Sequence, residues 1–128
     1  MAKPKTNDGI LHIFSALRYS LQGLQAVWKN EQAFRLEVYF YGPLIPIAFF
    51  IGSTPTHIAL LIVPVLLLYL VEFINSAIEA TIDRISDDIH PLSRIAKDCG
   101  SAAVVIAQCI IAVLWIAALY EKFGHAIG

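Results

Sequence analysis

Two long stretches of this chain carry no Asp, Glu, Lys or Arg, and they restrict its fold more than any other sequence feature. One lies between Glu37 and Glu72, the other between Asp98 and Glu121. About 20 apolar residues are enough to cross the hydrocarbon core of a bilayer as a helix. Because 58% of only 128 residues are apolar, a soluble domain of this size would struggle to bury them, which favours a membrane protein. The sequence predicts a small integral membrane protein.

The N-terminal part of the chain divides into an amphipathic segment and a first span. In residues 10–28, apolar side chains recur on one helical face and polar side chains on the other. This pattern is typical of a helix that lies in the membrane interface. The first span is predicted at residues 34–51, where Pro43 and Pro46 are expected to kink the helix.

Two further spans are predicted at residues 55–85 and 91–123, each opened by a proline at its first position. The polar sequence SDDIH (residues 86–90) separates them. The predicted fold class is therefore an all-α membrane protein, with an N-terminal interfacial helix and three transmembrane helices in a single membrane domain.

The distribution of basic residues predicts the orientation of these spans. Those before the first span are Lys3, Lys5, Arg18, Lys29 and Arg35, and those around the 86–90 loop are Arg84, Arg94 and Lys97. The turn at residues 52–56 has none. By the positive-inside rule, the N-terminus and the 86–90 loop are expected on the cytoplasmic side and the C-terminus on the far side.

The second span ends in a polar stripe within the sequence VEFINSAIEATIDR (residues 71–84). At 100° per residue, Glu72, Asn75, Ser76, Glu79 and Asp83 fall on one face about 100° wide. Carboxylates that face lipid are costly, so this face is expected to meet protein, water or a ligand. Helical rise places Glu72 in the cytoplasmic third of the membrane, with Glu79 about 10 Å nearer the water.

Charged residues at the cytoplasmic ends of the first and third spans are expected to converge on this stripe. They are Lys29, Glu31, Arg35 and Glu37 in the first span and Lys97 and Asp98 in the third. Carboxylate oxygens in such a cluster suit a hard cation such as Mg²⁺. Alternatively, Asp83, Arg84 and Arg94 only pair and end the helices, and Asn75 serves an interhelical hydrogen bond.

Other functional classes are disfavoured. The net charge is −1, and no basic run with interleaved aromatic residues is present, so nucleic-acid binding is not expected. No P-loop or protein-kinase motif occurs. Cys99 and Cys109 lie ten residues apart without the spacing of a metal or redox motif, so both are interpreted as packing residues.

Three segments resemble the bacterial integral-membrane diacylglycerol kinase family, in its proteobacterial form. They are NEQAFRLE (residues 30–37), VEFINSAIEATIDRI (residues 71–85) and AKDCGSAAV (residues 96–104). The corresponding family patterns are NEAAFRxE, VExxNSAIEAxVDRI and AKDxGSAAV. The resemblance covers about 110 residues in order and register, and implies a homotrimer in the bacterial inner membrane with active sites shared between subunits. Such an enzyme phosphorylates diacylglycerol with Mg-ATP to give phosphatidic acid, its C-terminus being periplasmic.

The resemblance also implies roles for individual residues. Glu72 would be the general base, with Asn75 and Lys97 as the other catalytic residues and Glu31 and Glu79 as Mg²⁺ ligands. The ATP-binding residues would be His12, Tyr19, Glu31, Glu79, Asp88, His90, Lys97 and Asp98, and the lipid-substrate residues Arg35, Glu37, Glu72 and Ser101. The N-terminal helix departs from the family, because His12 and Ser15 stand where relatives often carry basic residues.

Two other functions remain open from the sequence. A related kinase could use a different lipid alcohol, such as undecaprenol. A small cation carrier could use Glu72 and Glu79 as an intramembrane site. Against a carrier, the polar stripe does not continue outward, because residues 58–70 carry no charge.

Overall fold

The computed structural model describes residues 9–126, so Lys3 and Lys5, which contributed to the predicted orientation, lie outside the described residues. The described chain forms five α-helices and a final 3₁₀ turn, and contains no strand. The helices are α1 (Gly9–Asn30), α2 (Gln32–Tyr41), α3 (Leu44–Ile51), α4 (Pro55–Ile85) and α5 (Pro91–Phe123), and the 3₁₀ turn covers Gly124–Ala126.

Helices α4 and α5 begin with the same local arrangement, a capping side chain followed by proline. The Thr54 hydroxyl accepts a hydrogen bond of 3.1 Å from the backbone N–H of His57. The His90 ring nitrogen Nδ1 accepts one of 3.1 Å from the N–H of Leu92. Each cap satisfies an N–H that has no partner within the helix, while proline at the first position loses no bond.

The first span is not one continuous helix but two, with a break at Gly42–Pro43. Proline has no N–H to donate to the carbonyl four residues earlier, which interrupts the α-helical ladder. Instead, the N–H of Ile45 bonds the Gly42 carbonyl at 3.0 Å, a tighter spacing of three residues. Pro46 causes no second break, because it falls in the first turn of α3, where N–H groups are unpaired in any case.

The interior lies mainly between α4 and α5, which pack along their length, with α3 against the N-terminal half of α4. Its buried residues include Ala48, Leu61, Val65, Leu68, Ala107, Ile111, Trp115 and Ala118. Small side chains on α5 allow the helices to approach closely, as is common in membrane bundles. The indole N–H of Trp115 donates a 3.1 Å bond to the Leu61 carbonyl, so the buried polar atom of this side chain is satisfied.

Three segments are long and apolar enough to cross a membrane: Gln32–Ile51, Pro55–Ile85 and Pro91–Ala126. Large apolar side chains also cover the outer surface of these helices, among them Phe50, Val63 and Ile116. An exposed apolar surface of this extent suits lipid or neighbouring helices rather than water. The structure confirms the predicted all-α fold class with three spanning helices, and the chain is a multi-pass membrane protein.

Helix α1 lies at the surface of the described chain, and none of its residues is buried. Its apolar side chains, including Ile10, Phe14 and Leu21, face outward. The Arg35 guanidinium on α2 donates to the carbonyls of Trp28 and Lys29, which ties the end of α1 to the start of α2. An exposed amphipathic helix fits the interfacial position that its sequence predicts.

Candidate active site

The polar stripe of α4 is buried at its N-terminal end, next to the apolar part of the helix. Glu72 is only 6% exposed and Ser76 9%, and they are the two buried polar residues among those described. A carboxyl group at such a position is costly unless it interacts with other polar groups. The carboxyl groups of Glu31, Glu37 and Glu79 all lie close enough to Glu72 to interact with it electrostatically, Glu37 most strongly.

The packing of α2 on α4 and the junction between α1 and α2 bring two further carboxylates towards Glu72. Phe34 is buried and packs edge-on against Phe73 of α4, with ring centroids 5.1 Å apart. One helical turn further, Glu37 lies on the same side of α2 and faces α4. Glu31 is in the extended conformation at the junction of α1 and α2, where it borders a groove of about 300 Å³ that also reaches Ser76.

Asn75 connects the stripe to α5. Its side-chain NH₂ donates to Glu79 Oε1 over 3.4 Å, a long and weak bond. Its carbonyl oxygen Oδ1 is buried without a partner among the described residues and lies directly against Gly100. A buried acceptor without a donor is costly, so a group that donates to Asn75 would be stabilised here.

Lys97 lies on α5 beside the water-facing end of the stripe. Its ammonium group bonds Asp83 Oδ1 at 2.6 Å and is within electrostatic reach of Glu79. Both partners are substantially exposed, so the pair can exchange for another anion at little cost. The alternative that these charges only form ion pairs therefore accounts for Asp83, whereas Lys97 can still bind a ligand.

Several of the residues expected to bind nucleotide line a single groove at the α4–α5 loop. Its volume is about 310 Å³. Its charged and polar lining consists of Asp83, Ser86, Asp87, Asp88, His90, Ser93, Arg94, Lys97 and Asp98. Within it Arg94 lies 3.9 Å from Asp98. The structure therefore brings Asp88, His90, Lys97 and Asp98 together, although His90 also caps α5.

The remaining predicted residues lie apart from these clusters. His12 and Tyr19 are exposed on α1. Ser101 is exposed on α5. The guanidinium of Arg35, predicted to contact the lipid substrate, is occupied by carbonyls of α1.

Two contacts at the site involve residues that the sequence did not single out. Gly100 leaves the space that the Asn75 side chain fills. Gln108 donates from Nε2 to Glu37 Oε1 at 2.9 Å, which joins α5 to α2. A sequence signal existed for Gln108, because Gln108 is the only amide side chain in the charge-free stretch of α5.

The donor groups present fit a magnesium ion bound together with a nucleotide. No group of three or more His, Cys, Asp or Glu side chains within residues 9–126 is arranged to hold a metal. Mg²⁺ at nucleotide sites is held by one or two carboxylates, with phosphate oxygens and water completing the shell. Glu31 and Glu79 are carboxylates near Glu72, and together they could supply the protein ligands of such an ion.

The arrangement combines a buried carboxylate, further carboxylates near it and a lysine next to a water-facing groove. A carboxylate can accept a proton from a hydroxyl group, and a cation with a lysine can neutralise phosphate oxygens. Because Glu72 lies within a spanning helix and the groove lies at its end, the site can join an apolar molecule to a soluble one.

Comparison with known proteins identifies relatives that share most of this chain. Residues 18–119 match the family described as prokaryotic diacylglycerol kinase. A protein of Haemophilus influenzae named diacylglycerol kinase is 48% identical over 107 residues, which cover 84% of this chain and 91% of that protein. Proteins of the same name from Pseudomonas aeruginosa and Escherichia coli are 46% and 43% identical over 111 and 116 residues. These alignments cover 87% and 91% of this chain, and 90% and 95% of the two relatives.

Proposed function

This chain belongs to the prokaryotic diacylglycerol kinase family and is an ATP-dependent lipid kinase, and we propose that it phosphorylates 1,2-diacylglycerol with Glu72 as general base. The observation that carries the proposal is the buried position of Glu72 on a spanning helix, surrounded by other carboxyl groups. A lipid hydroxyl held in the membrane can reach a group at this depth, whereas a base in the loop groove would be out of its reach.

In the proposed reaction, Glu72 takes the proton of the lipid hydroxyl as its oxygen attacks the γ-phosphorus of ATP. The bond between the γ-phosphorus and the β-phosphate oxygen breaks, so that phosphatidic acid and ADP are the products. Phosphoryl transfer depends mainly on alignment and on neutralising charge. Asn75 is suited to orient the phosphoryl group, because its NH₂ points along the stripe towards Glu79.

Glu31 and Glu79 are proposed to hold Mg²⁺, which when bound neutralises the phosphate oxygens of ATP. Lys97 adds a second positive charge on the α5 side. Its bond to Asp83 keeps the ammonium group at the rim of the loop groove. Exchange of that carboxylate for a phosphate oxygen would bring Lys97 to the transferring group.

The loop groove is proposed to take the nucleoside part of ATP. Asp88 and Asp98 provide carboxylates that can accept hydrogen bonds from ribose hydroxyls, as acidic residues do in other nucleotide sites. His90 offers a ring nitrogen at the same rim. Tyr19 and His12 on α1 are proposed as further nucleotide contacts.

The lipid site is proposed to include Arg35, Glu37, Glu72 and Ser101, brought together where neighbouring subunits meet. Ser101 is exposed on α5 and Arg35 binds α1 carbonyls in this chain. These positions suit a site completed by a second copy, and we propose a homotrimer with shared active sites. The extensive exposed apolar surface of the spans supports such an assembly.

The protein is proposed to reside in the bacterial inner membrane, with the N-terminus and the 86–90 loop in the cytoplasm. This orientation places the loop groove on the side where ATP is available. The C-terminus would then be periplasmic, since three spans separate the two ends.

The test is an ATP-dependent assay of the purified protein in lipid with diacylglycerol and Mg²⁺, comparing wild type with Glu72→Gln. Glu72→Gln should abolish turnover while the oligomer remains intact. Glu121→Gln is the matched control, because Glu121 is exposed at the far end of α5, and it should keep wild-type activity. Full activity of Glu72→Gln would overturn the role of general base.

A competition assay with diacylglycerol and undecaprenol determines which lipid the enzyme prefers. Preferential phosphorylation of undecaprenol would contradict the proposed lipid. ATP-independent cation flux in liposomes, without lipid phosphorylation, would contradict the kinase activity itself.

A further inference from the structure

Helix α5 places one amide side chain deep in its apolar stretch. Between residues 102 and 119, only Gln108 and Trp115 carry nitrogen in their side chains. A polar side chain inside a span is costly unless it bonds another helix. Both do so: Trp115 bonds the Leu61 carbonyl, and Gln108 bonds Glu37.

The Gln108 bond ends on a carboxyl group that adjoins Glu72. Gln108 Nε2 lies 2.9 Å from Glu37 Oε1, and Glu37 interacts with Glu72 more strongly than Glu79 or Glu31 does. The second Glu37 oxygen, Oε2, is buried with no hydrogen-bond partner among residues 9–126. With one oxygen occupied by Gln108, the other is left for Glu72 or for a hydroxyl group beside it.

The chemistry of an amide is significant here. An amide donor can fix the orientation of a carboxyl group without adding a charge to the site. An arginine or lysine donor would add a positive charge. Gln108 can therefore hold Glu37 in place and leave its second oxygen available to Glu72 and the substrate.

From these contacts we propose that Gln108 is a positioning residue, which holds the Glu37 carboxyl group against Glu72 so that the lipid hydroxyl is oriented for reaction. This inference rests on the proposed function, in which Glu37 lines the lipid site. It adds a residue outside the three segments that carry the family resemblance, and it makes lipid use depend on the contact between α5 and α2.

The test compares Gln108→Met, which keeps the length of the side chain and removes the donor, with wild type. Loss of one interhelical hydrogen bond should lower kcat/KM for diacylglycerol about 3- to 30-fold. The KM for Mg-ATP should change by less than about twofold. A comparable rise in the KM for Mg-ATP, or no loss of kcat/KM for diacylglycerol, would overturn the proposal.

Trp115→Phe is the matched control for a purely structural effect. It removes another interhelical bond of the same helix and does not touch Glu37. Both variants are expected to lower the thermal midpoint of unfolding, but only Gln108→Met should alter the use of diacylglycerol. A similar change in lipid kinetics with Trp115→Phe would show that the effect is structural.

A double-mutant cycle shows whether Gln108 acts through Glu37. In a Glu37→Gln background, Gln108→Met should lower kcat/KM further by less than about twofold, because the carboxyl group that it positions is absent. An equally large loss in both backgrounds would exclude this route.

Infrared difference spectra separate this proposal from the proposed function. The carboxyl band assigned by Glu37→Gln should shift in frequency with Gln108→Met, whether or not the protein phosphorylates diacylglycerol. An unshifted band would contradict the positioning role even in an active enzyme. A shifted band in a protein without kinase activity would support the contact with Glu37 and overturn both the kinase function and the role of Gln108 in orienting the lipid.

Discussion

The side-chain oxygen of Asn75 occupies space that a Cβ atom on residue 100 would need, so any larger residue there would require Asn75 to turn or α5 to shift. The same contact fixes how the Asn75 amide group is turned. With its oxygen against Gly100, its NH₂ faces Glu79. Packing between two spans therefore sets the orientation of a proposed catalytic side chain.

Gly100→Ala should impair both stability and turnover. The added methyl group would overlap Asn75, and overpacking of this kind costs about 1–3 kcal/mol in the free energy of unfolding. Because Asn75 must rotate or α5 must shift, kcat should fall as well. Thermal unfolding in detergent and the lipid kinase assay measure the two effects.

Gly23→Ala is the stability control, since a Cβ atom at Gly23 meets nothing within 4 Å. That change should leave the protein as stable or stabilise it, by up to about 1 kcal/mol, because alanine is favoured over glycine inside a helix. Wild-type stability and turnover in Gly100→Ala would show that the contact with Asn75 has no consequence.

Substitutions of Lys97 and of its partner Asp83 should differ strongly in their effect on kcat. Lys97→Met should lower kcat about 100- to 1000-fold, because a group that stabilises developing charge in the transition state is lost. Asp83→Asn should change kcat by less than about fivefold, since the exposed ion pair contributes little by itself. Steady-state kinetics at saturating diacylglycerol checks both values. Equal losses in the two variants would mean that Lys97 serves the ion pair rather than the phosphate.

Much of the fold could be predicted from the sequence, because its strongest signals are local. The charge-free stretches indicate the spans, and a capping residue followed by Pro55 or Pro91 marks where α4 and α5 begin. The break of the first span is also a local effect of proline. However, the sequence did not show that Pro43 divides the helix while Pro46 does not, because that depends on where the new helix begins.

The candidate site could be predicted in part, for a physical reason. Residues on one helix, such as Glu72 and Glu79, share a face through helical spacing alone. The contacts of Gly100 with Asn75 and of Gln108 with Glu37 depend on the register between different helices. That register arises from packing of the whole bundle, so it cannot be predicted from the residue pattern of a single sequence.

Glu31 and Glu79 should determine the magnesium requirement. Glu31→Gln and Glu79→Gln should each raise the free Mg²⁺ concentration for half-maximal activity by at least about tenfold, since each removes a proposed carboxylate ligand. The measurement is a titration of free Mg²⁺ at a fixed concentration of ATP. Glu121→Gln should follow the wild-type curve. Unchanged titrations for both variants would require different ligands.

The orientation of the chain can be tested through its two ends. The Lys122 ammonium group on α5 bonds the Phe50 carbonyl at 2.6 Å, so the end of α5 lies beside the end of α3. The 86–90 loop lies at the opposite end of α4. In a background with Cys99 and Cys109 replaced by alanine, Ser53→Cys should react with a membrane-impermeant maleimide in spheroplasts, because the 52–56 turn is expected to be periplasmic.

Ser86→Cys should be protected in the same spheroplasts and become reactive only after the membrane is permeabilised. The two cysteines thus give opposite patterns if the loop groove faces the cytoplasm, where ATP is found. The reverse pattern would place the groove on the side without ATP and contradict the proposed nucleotide site. Because both positions are exposed serines in turns, a difference in labelling reports the side of the membrane rather than local burial.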